Sequence, residues 1–293
     1  LFSYKNELYF AYLTSEQKIY LKKCNENGAW SDITSIENGY CSDFDIKDID
    51  GILYIAYVSE NTKAILGKIE GNKFQKIGEY FQTMCGQPKI GELNGKLHIA
   101  VRDVIDENRI KVFRYDGGSA FTNISNNACA GSTYNMESVD GKMYFLLGGS
   151  GSSNSSGMKM ASYDGKTWKI GKDSGISSFE PQLSVTYDNI YILVSSATGE
   201  GNTKVYHYDT ETERFTQEGT DVDAAGQSLS LTSSANKLFI SYVRNLDNKI
   251  VVRMKKTAKE LPDHIHNFTE WKITQSTCTK SQQERICQDC GYK

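Results

Sequence analysis

The most regular feature of the chain is a short apolar run, preceded by a turn residue, that recurs at nearly constant spacing. The copies are Asn6-Glu-Leu-Tyr-Phe-Ala-Tyr, Gly51-Ile-Leu-Tyr-Ile-Ala-Tyr, Gly95-Lys-Leu-His-Ile-Ala-Val, Gly141-Lys-Met-Tyr-Phe-Leu-Leu, Asp188-Asn-Ile-Tyr-Ile-Leu-Val and Asn236-Lys-Leu-Phe-Ile-Ser-Tyr. Their first residues, at 6, 51, 95, 141, 188 and 236, lie 45, 44, 46, 47 and 48 residues apart. Between these anchors apolar and polar residues alternate with a period of two, as in Asp43-Phe-Asp-Ile-Lys-Asp-Ile-Asp50 and Arg109-Ile-Lys-Val-Phe-Arg-Tyr115. That is strand patterning. Helical repeats of this length would place apolar residues at i, i+3 and i+4, and they do not fall there.

Turn chemistry divides each period into four strands, A to D. Asp50-Gly51, Asn94-Gly95 and Asp140-Gly141 are dipeptides suited to a two-residue type I′ hairpin, so they mark the A–B turn. Strand B is the apolar run and strand C follows it. A second corner leads to an aromatic that opens strand D: Gly28-Ala-Trp30, Gly71-Asn-Lys-Phe74, Gly117-Gly-Ser-Ala-Phe121, Gly165-Lys-Thr-Trp168 and Asp209 to Phe215. A β-only repeat with a period in the forties predicts an all-β chain, a β-propeller of six four-stranded blades over residues 1–257. Residues 258–293 are expected to be a linker and a cysteine-rich C-terminal module. Pro262 ends any continuing ladder, and Glu270-Trp-Lys-Ile-Thr274 is the candidate for strand D of the last blade.

Composition narrows the functional classes. The 293 residues are 39% hydrophobic and 24% charged, with a net charge of −3 and no long run of one sign. A nucleic-acid binder would show a basic stripe, so that class is disfavoured. No stretch of about 18 apolar residues is present, so no direct membrane span is expected. Leu1 opens within strand-like sequence with no initiator Met or signal pattern, which suggests a mature or trimmed piece of a longer chain.

Three resemblances follow from these residues. Leu147-Gly-Gly149 and then Ser162-Tyr-Asp-Gly-Lys-Thr-Trp168 resemble kelch repeats, and the second segment also looks like the Asp-box of sialidase-type propellers, one residue short between Asp164 and Gly165. The likeness implies fold rather than activity; the arginine triad and Tyr–Glu nucleophile pair of sialidases cannot be assembled here. The tail, with His264-Ile-His266, Trp271, Cys278, Cys287 and Cys290, is similar to short His/Trp/Cys modules of large cell-surface proteins of Gram-positive anaerobic bacteria. That resemblance implies a secreted or cell-surface, bacterial setting.

The candidate ligand site is the channel that strand A lines. Six positions before the anchors stand Asp45, Lys89, Asn135, Gln182 and Ser230, all polar, with Arg102 and Arg244 ending strand B toward the same mouth. Such a ring suits a ligand, and equally suits a water-filled channel. The expected function is a non-catalytic binding or adhesion module that engages a glycan or protein ligand through the loop-rich face. The alternatives are a carbohydrate-active hydrolase or lyase using Asp43, Asp45 or Glu180, and a structural spacer. No cofactor is expected in the propeller. In the tail, His266, Cys278, Cys287 and Cys290 could hold Zn²⁺ tetrahedrally; a disulfide or free thiols are the other readings. Cys41, Cys85 and Cys129 fall before successive anchors and read as small buried residues, and His98 reads as a substitute in a slot held elsewhere by tyrosine.

Overall fold

A computed structural model describes residues 2–5, 7–25, 27–36, 41–59, 62–70, 73–148, 157–176, 181–186, 189–194, 203–220, 230–234, 237–243, 250–256, 272–276 and 281–284. All the regular elements among them are strands. Blade one comprises β1 (Phe2–Tyr4), β2 (Glu7–Leu13), β3 (Ile19–Cys24) and β4 (Trp30–Ile36). Blade two follows with β5 (Cys41–Ile49), β6 (Ile52–Ser59), β7 (Lys63–Glu70) and β8 (Lys73–Phe81). Blade three holds β9 (Cys85–Leu93), β10 (Lys96–Asp103), β11 (Arg109–Gly117) and β12 (Ala120–Asn123). Blade four holds β13 (Tyr134–Val139), β14 (Lys142–Leu147), β15 (Lys159–Tyr163) and β16 (Trp168–Ile170). Blade five holds β17 (Gln182–Thr186), β18 (Asn189–Val194), β19 (Lys204–Asp209) and β20 (Arg214–Gln217). Blade six contains β21 (Ser230–Ser234), β22 (Lys237–Val243) and β23 (Ile250–Lys256).

Each blade is an antiparallel meander in sequence order, and the first strands of successive blades touch: β5 with β9, β9 with β13, β13 with β17, and β17 with β21. The protein is therefore a six-bladed β-propeller with strand A innermost. Residues 272–276 form β24 (Lys272–Ser276), which pairs antiparallel with β25 (Ser281–Glu284) in a two-stranded sheet. Chain contacts divide the protein into two compact units, Leu1–Lys255 and Lys256–Lys293.

The local turns explain why the meanders close. Asp50, Asn94 and Asp140 have φ of 52°, 52° and 49°, each followed by glycine at 74°, 71° and 65°. Two consecutive left-handed residues make the type I′ turn whose twist matches the flanking strands. At three C–D corners a side chain substitutes for a backbone acceptor. Asn25 Oδ1 accepts from the Asn27 and Ala29 amides at 3.0 and 2.8 Å, and Asp209 Oδ1 accepts from Glu211 and Thr212 at 2.8 and 2.9 Å. Asp164 Oδ1 likewise accepts from Lys166 and Thr167 at 2.8 and 2.7 Å, and these bonds hold its carboxyl down at about 2.

The core lies between blades rather than within them. Strand B is buried on both faces, so its apolar residues run without interruption. In β6, for example, Ile55 and Tyr57 pack toward blade one while Ala56 and Val58 pack toward blade three. Between blades three and four, fully buried Phe145 meets Trp168 at 5.0 Å, and the Trp168 indole donates to the Ile124 carbonyl at 2.8 Å. Removing such a ring leaves a cavity that the rigid sheets cannot fill. Phe145→Ala is expected to lower unfolding stability by about 3–5 kcal/mol, read as a lower denaturant midpoint with an unchanged slope; a loss under about 1 kcal/mol would show that this boundary repacks.

Candidate functional site

The inner strands are built to bend at one mouth of the channel. β9 carries a bulge where Ala100 pairs Lys89 but Arg102 pairs Gly86, leaving Gln87 and Pro88 opposite a single residue. Gln87 has a φ of 53°, a conformation that costs a non-glycine residue about 1–3 kcal/mol unless its surroundings hold it. Both neighbouring blades do so. The Gln87 amide donates to Asp43 Oδ2 of blade two at 2.8 Å, and its carbonyl accepts from the Tyr134 hydroxyl of blade four at 2.6 Å.

Around that bend lies a cavity of about 200 Å³. Its wall is Asp43 from blade two, Gln87 and Lys89 from blade three, Thr133 and Asn135 from blade four, and Gln182 from blade five. Gln87 Oε1 and Thr133 Oγ1 are buried without a hydrogen-bond partner. Burial pushes the Asp43 carboxyl above its ordinary value, opposed by the Lys89 charge and by the amides of Gln87 and Phe44, while the Asp45 charge raises it further. Toward the other end of the channel, Lys47 Nζ reaches Glu137 Oε2 at 2.8 Å. Gly91 occupies the corresponding register position of the intervening blade, where it presents no side chain.

The expected site residues part company here. Lys89, Asn135 and Gln182 line the cavity. Asp45 does not: its Oδ2 accepts from the Ile90 amide of the next blade at 2.8 Å. Asn135 also does structural duty, donating to the Pro181 carbonyl at 2.7 Å. Arg102 lies outside the cavity wall, where Nη1 donates to the Ser132 carbonyl at 2.7 Å and to Asn108 Oδ1 at 3.2 Å, so it braces loops instead. Arg244, Glu180, the Gly/Ser-rich B–C loops (149–156 and 195–202), and the tail ligands His266, Cys278, Cys287 and Cys290 lie outside the described residues. Asp43, Gln87 and Thr133 were not singled out as ligand-ring residues, yet each stands eight positions before its anchor glycine, one strand repeat from the ring that was.

Other candidates take bland roles. Cys41, Cys85 and Cys129 are buried, and burial pushes their thiols up to about 11, 12 and 12. No group of three or more metal-ligating side chains occurs among the described residues. His98 is 3% exposed, bonds the Lys96 carbonyl through Nδ1 at 2.9 Å, and is shifted by burial toward its neutral form. No helix of the described residues is long and apolar enough to cross a membrane.

No protein-family model matches the chain, and no curated protein does. Solved structures are similar in fold. SapL1 lectin in complex with alpha methyl fucoside superposes with a TM-score of 0.61 at 13% identity, covering 87% of this chain and 94% of that one. A triple arginine-to-alanine mutant of AofleA from Arthrobotrys oligospora gives 0.54 at 10% identity, covering 85% and 83%. At such identities the likeness defines the class alone, a six-bladed β-propeller.

Asp43 allows a test of this geometry. An acid whose folded pKa lies above its unfolded value favours the fold in its protonated form. That contribution is lost as pH rises from near 3.8 through the raised folded value. Asp43→Asn is therefore expected to gain stability relative to the native protein across that window and to hold a constant difference above it. Parallel denaturation curves from pH 3 upward measure this, and a difference independent of pH would contradict the burial of Asp43.

Proposed function

We propose that the propeller is a carbohydrate-binding module that takes a neutral, hydroxyl-rich ligand at the channel mouth. The observation that carries this reading is the cavity wall. Polar side chains of four blades, Asp43, Gln87, Lys89, Thr133, Asn135 and Gln182, converge on a pocket of about 200 Å³, an ammonium and a carboxylate among them. Convergent donors and acceptors in a concave site fix the orientation of a ligand that brings matching groups. A sugar brings several hydroxyls, each both donor and acceptor. The backbone of the strained Gln87, tethered on both sides, holds this part of the wall in place, which lowers the ordering cost of binding. The fold's likeness to a lectin solved with a methyl fucoside supports the same reading. A hydrolase is not favoured, since Asp43 and Asp45 each accept a backbone amide of the next blade.

The setting we propose is a secreted or cell-surface bacterial protein, on the strength of the tail sequence. In that tail, His266, Cys278, Cys287 and Cys290 supply the imidazole and thiolates that a structural Zn²⁺ prefers. Purified full-length chain is expected to carry one zinc per molecule by elemental analysis and to lose it on Cys287→Ser; a zinc-free chain would leave a disulfide or free thiols.

The binding proposal is tested by a glycan array with the full chain, followed by Lys89→Ala. Loss of a charged hydrogen bond of about 1.5–3 kcal/mol corresponds to an affinity about ten- to a hundredfold weaker. A chain that binds no glycan, or a variant that binds every ligand as before, would overturn it.

A further inference from the structure

The boundary between blades two and three holds a second opening, at the A–B turn end of the strands. It encloses about 370 Å³, with Tyr54 and Tyr115 in its walls and Asp50, Lys96 and Asp116 as its charged residues. From Asp43 to Asp50 strand A spans seven residues, roughly 23 Å at ~3.3 Å each, so this opening is at the far end of the disc from the channel mouth.

The same slot exists at three other boundaries, where neighbouring groups close it. Tyr54 stands three residues after its turn glycine, and Tyr115 follows Arg114, which is paired across the sheet with His98. Between blades four and five the equivalent residues are Tyr144 and Tyr208, whose rings meet edge-on at 6.4 Å. Between blades three and four the slot holds His98, which is buried, and the corner glycine Gly165 comes so near that a Cβ there would lie 3.4 Å from Asn94 Nδ2. Between blades one and two, Tyr9 packs with Leu53 and Ile69. Tyr54 and Tyr115 both pack against the interblade cluster that holds Leu97 and Phe113, but their rings make no contact with each other among the described residues. The corner beside them is different too. β11 runs on to Gly117 through a register shift, Gly117 and Gly118 both take positive φ, and no atom lies within 4 Å of a Cβ built on either.

The chemistry of the opening is mixed and close to neutral. Asp116 is held ionised by Arg114 Nε at 2.6 Å and by the Thr122 hydroxyl. Lys96 Nζ, the Asp50 carboxylate and the Tyr54 hydroxyl have no side-chain hydrogen bond among the described residues. Two carboxylates oppose an anion, and Lys96 opposes a cation. Aromatic walls take the C–H face of a sugar ring, and the rim groups take its hydroxyls.

We infer that the boundary between blades two and three is a second saccharide subsite, which receives one neutral pyranose ring between Tyr54 and Tyr115. The inference rests on the carbohydrate reading above but not on the channel cavity. Two subsites at opposite ends of strand A make one chain bivalent, so it links two glycans and binds a glycan-coated surface with avidity.

Calorimetric titration of the full chain with the methyl glycosides of fucose, galactose, mannose and glucose tests this, with Tyr115→Ala, Lys96→Ala and Lys89→Ala as variants. The expected result is two equivalents of at least one probe on the native chain. Tyr115→Ala should remove one of them, Lys96→Ala should weaken the same one about tenfold, and Lys89→Ala should affect only the other. One equivalent lost with Tyr115→Ala and kept with Lys89→Ala sustains this subsite and sinks the channel reading. One equivalent lost with Lys89→Ala and indifferent to Tyr115 and Lys96 overturns the subsite and leaves the channel reading standing. Binding of none of the four probes also overturns it. Should Tyr115→Ala fail to fold, Lys96→Ala decides, because that side chain is exposed; unchanged binding there is fatal to the inference.

Discussion

Every inner strand of a propeller has an edge with no further strand to pair it, and what satisfies that edge governs the rest of this molecule. Unpaired strand edges are unstable liabilities that proteins cover or charge. Here the cover comes from the side chains of the neighbouring blade. Asp43 and Asp45 of blade two accept from the Gln87 and Ile90 amides of blade three, Tyr134 of blade four donates to the Gln87 carbonyl, and Asn135 donates to the Pro181 carbonyl that leads into blade five. These contacts stitch four blades together around the axis. They also consume much of the polar ring, because an acceptor already bonded to a backbone amide has less to offer a ligand.

What remains for chemistry is what the stitching leaves unsatisfied. Gln87 is the clearest case: both its backbone groups are bound, it is held in a left-handed bend, and its side-chain oxygen is buried with no partner. Strain and unpaired polarity at one residue are a concentration of free energy that a structural role alone does not require. Lys89 beside it supplies a charge that partly offsets the desolvation of Asp43. The site is therefore a by-product of the interblade joint, shaped by the same carboxylate that closes it.

Four of the blade boundaries solve one packing problem with different residues, and that difference decides which of them stay closed. Aromatic rings that meet edge-on, as Tyr144 and Tyr208 do, exclude other molecules, while rings held apart at an equivalent position leave space for one. The same tyrosine-rich repeat thus yields both core and candidate surface site. Repetition stabilises the fold, and departures from repetition make recognition possible.

Local chemistry made the architecture legible. The Asp-Gly and Asn-Gly turns, the doubly buried B strands and the side-chain-capped corners each depend on residues a few positions apart, so the blade count and strand order could be read by counting. Counting also found the polar layer six positions before the anchors, and Lys89, Asn135 and Gln182 do line the cavity. It could not tell that Asp45 is spent on Ile90, that Arg102 braces Ser132 and Asn108, or that the layer two residues further out completes the wall. Nor could it tell that residues 272–276 pair with 281–284, since the D-strand likeness of Trp271 and its neighbours describes a strand and not its partner. Apart from Arg102 with Asn108, those outcomes join residues that are 30 to 47 positions apart or depend on which of two edges a strand meets, as in Arg102 with Ser132 and Tyr134 with Gln87. The periodic sequence determined the blades, while only the packing of one blade against the next decided which polar groups are bonded and which are left facing a cavity.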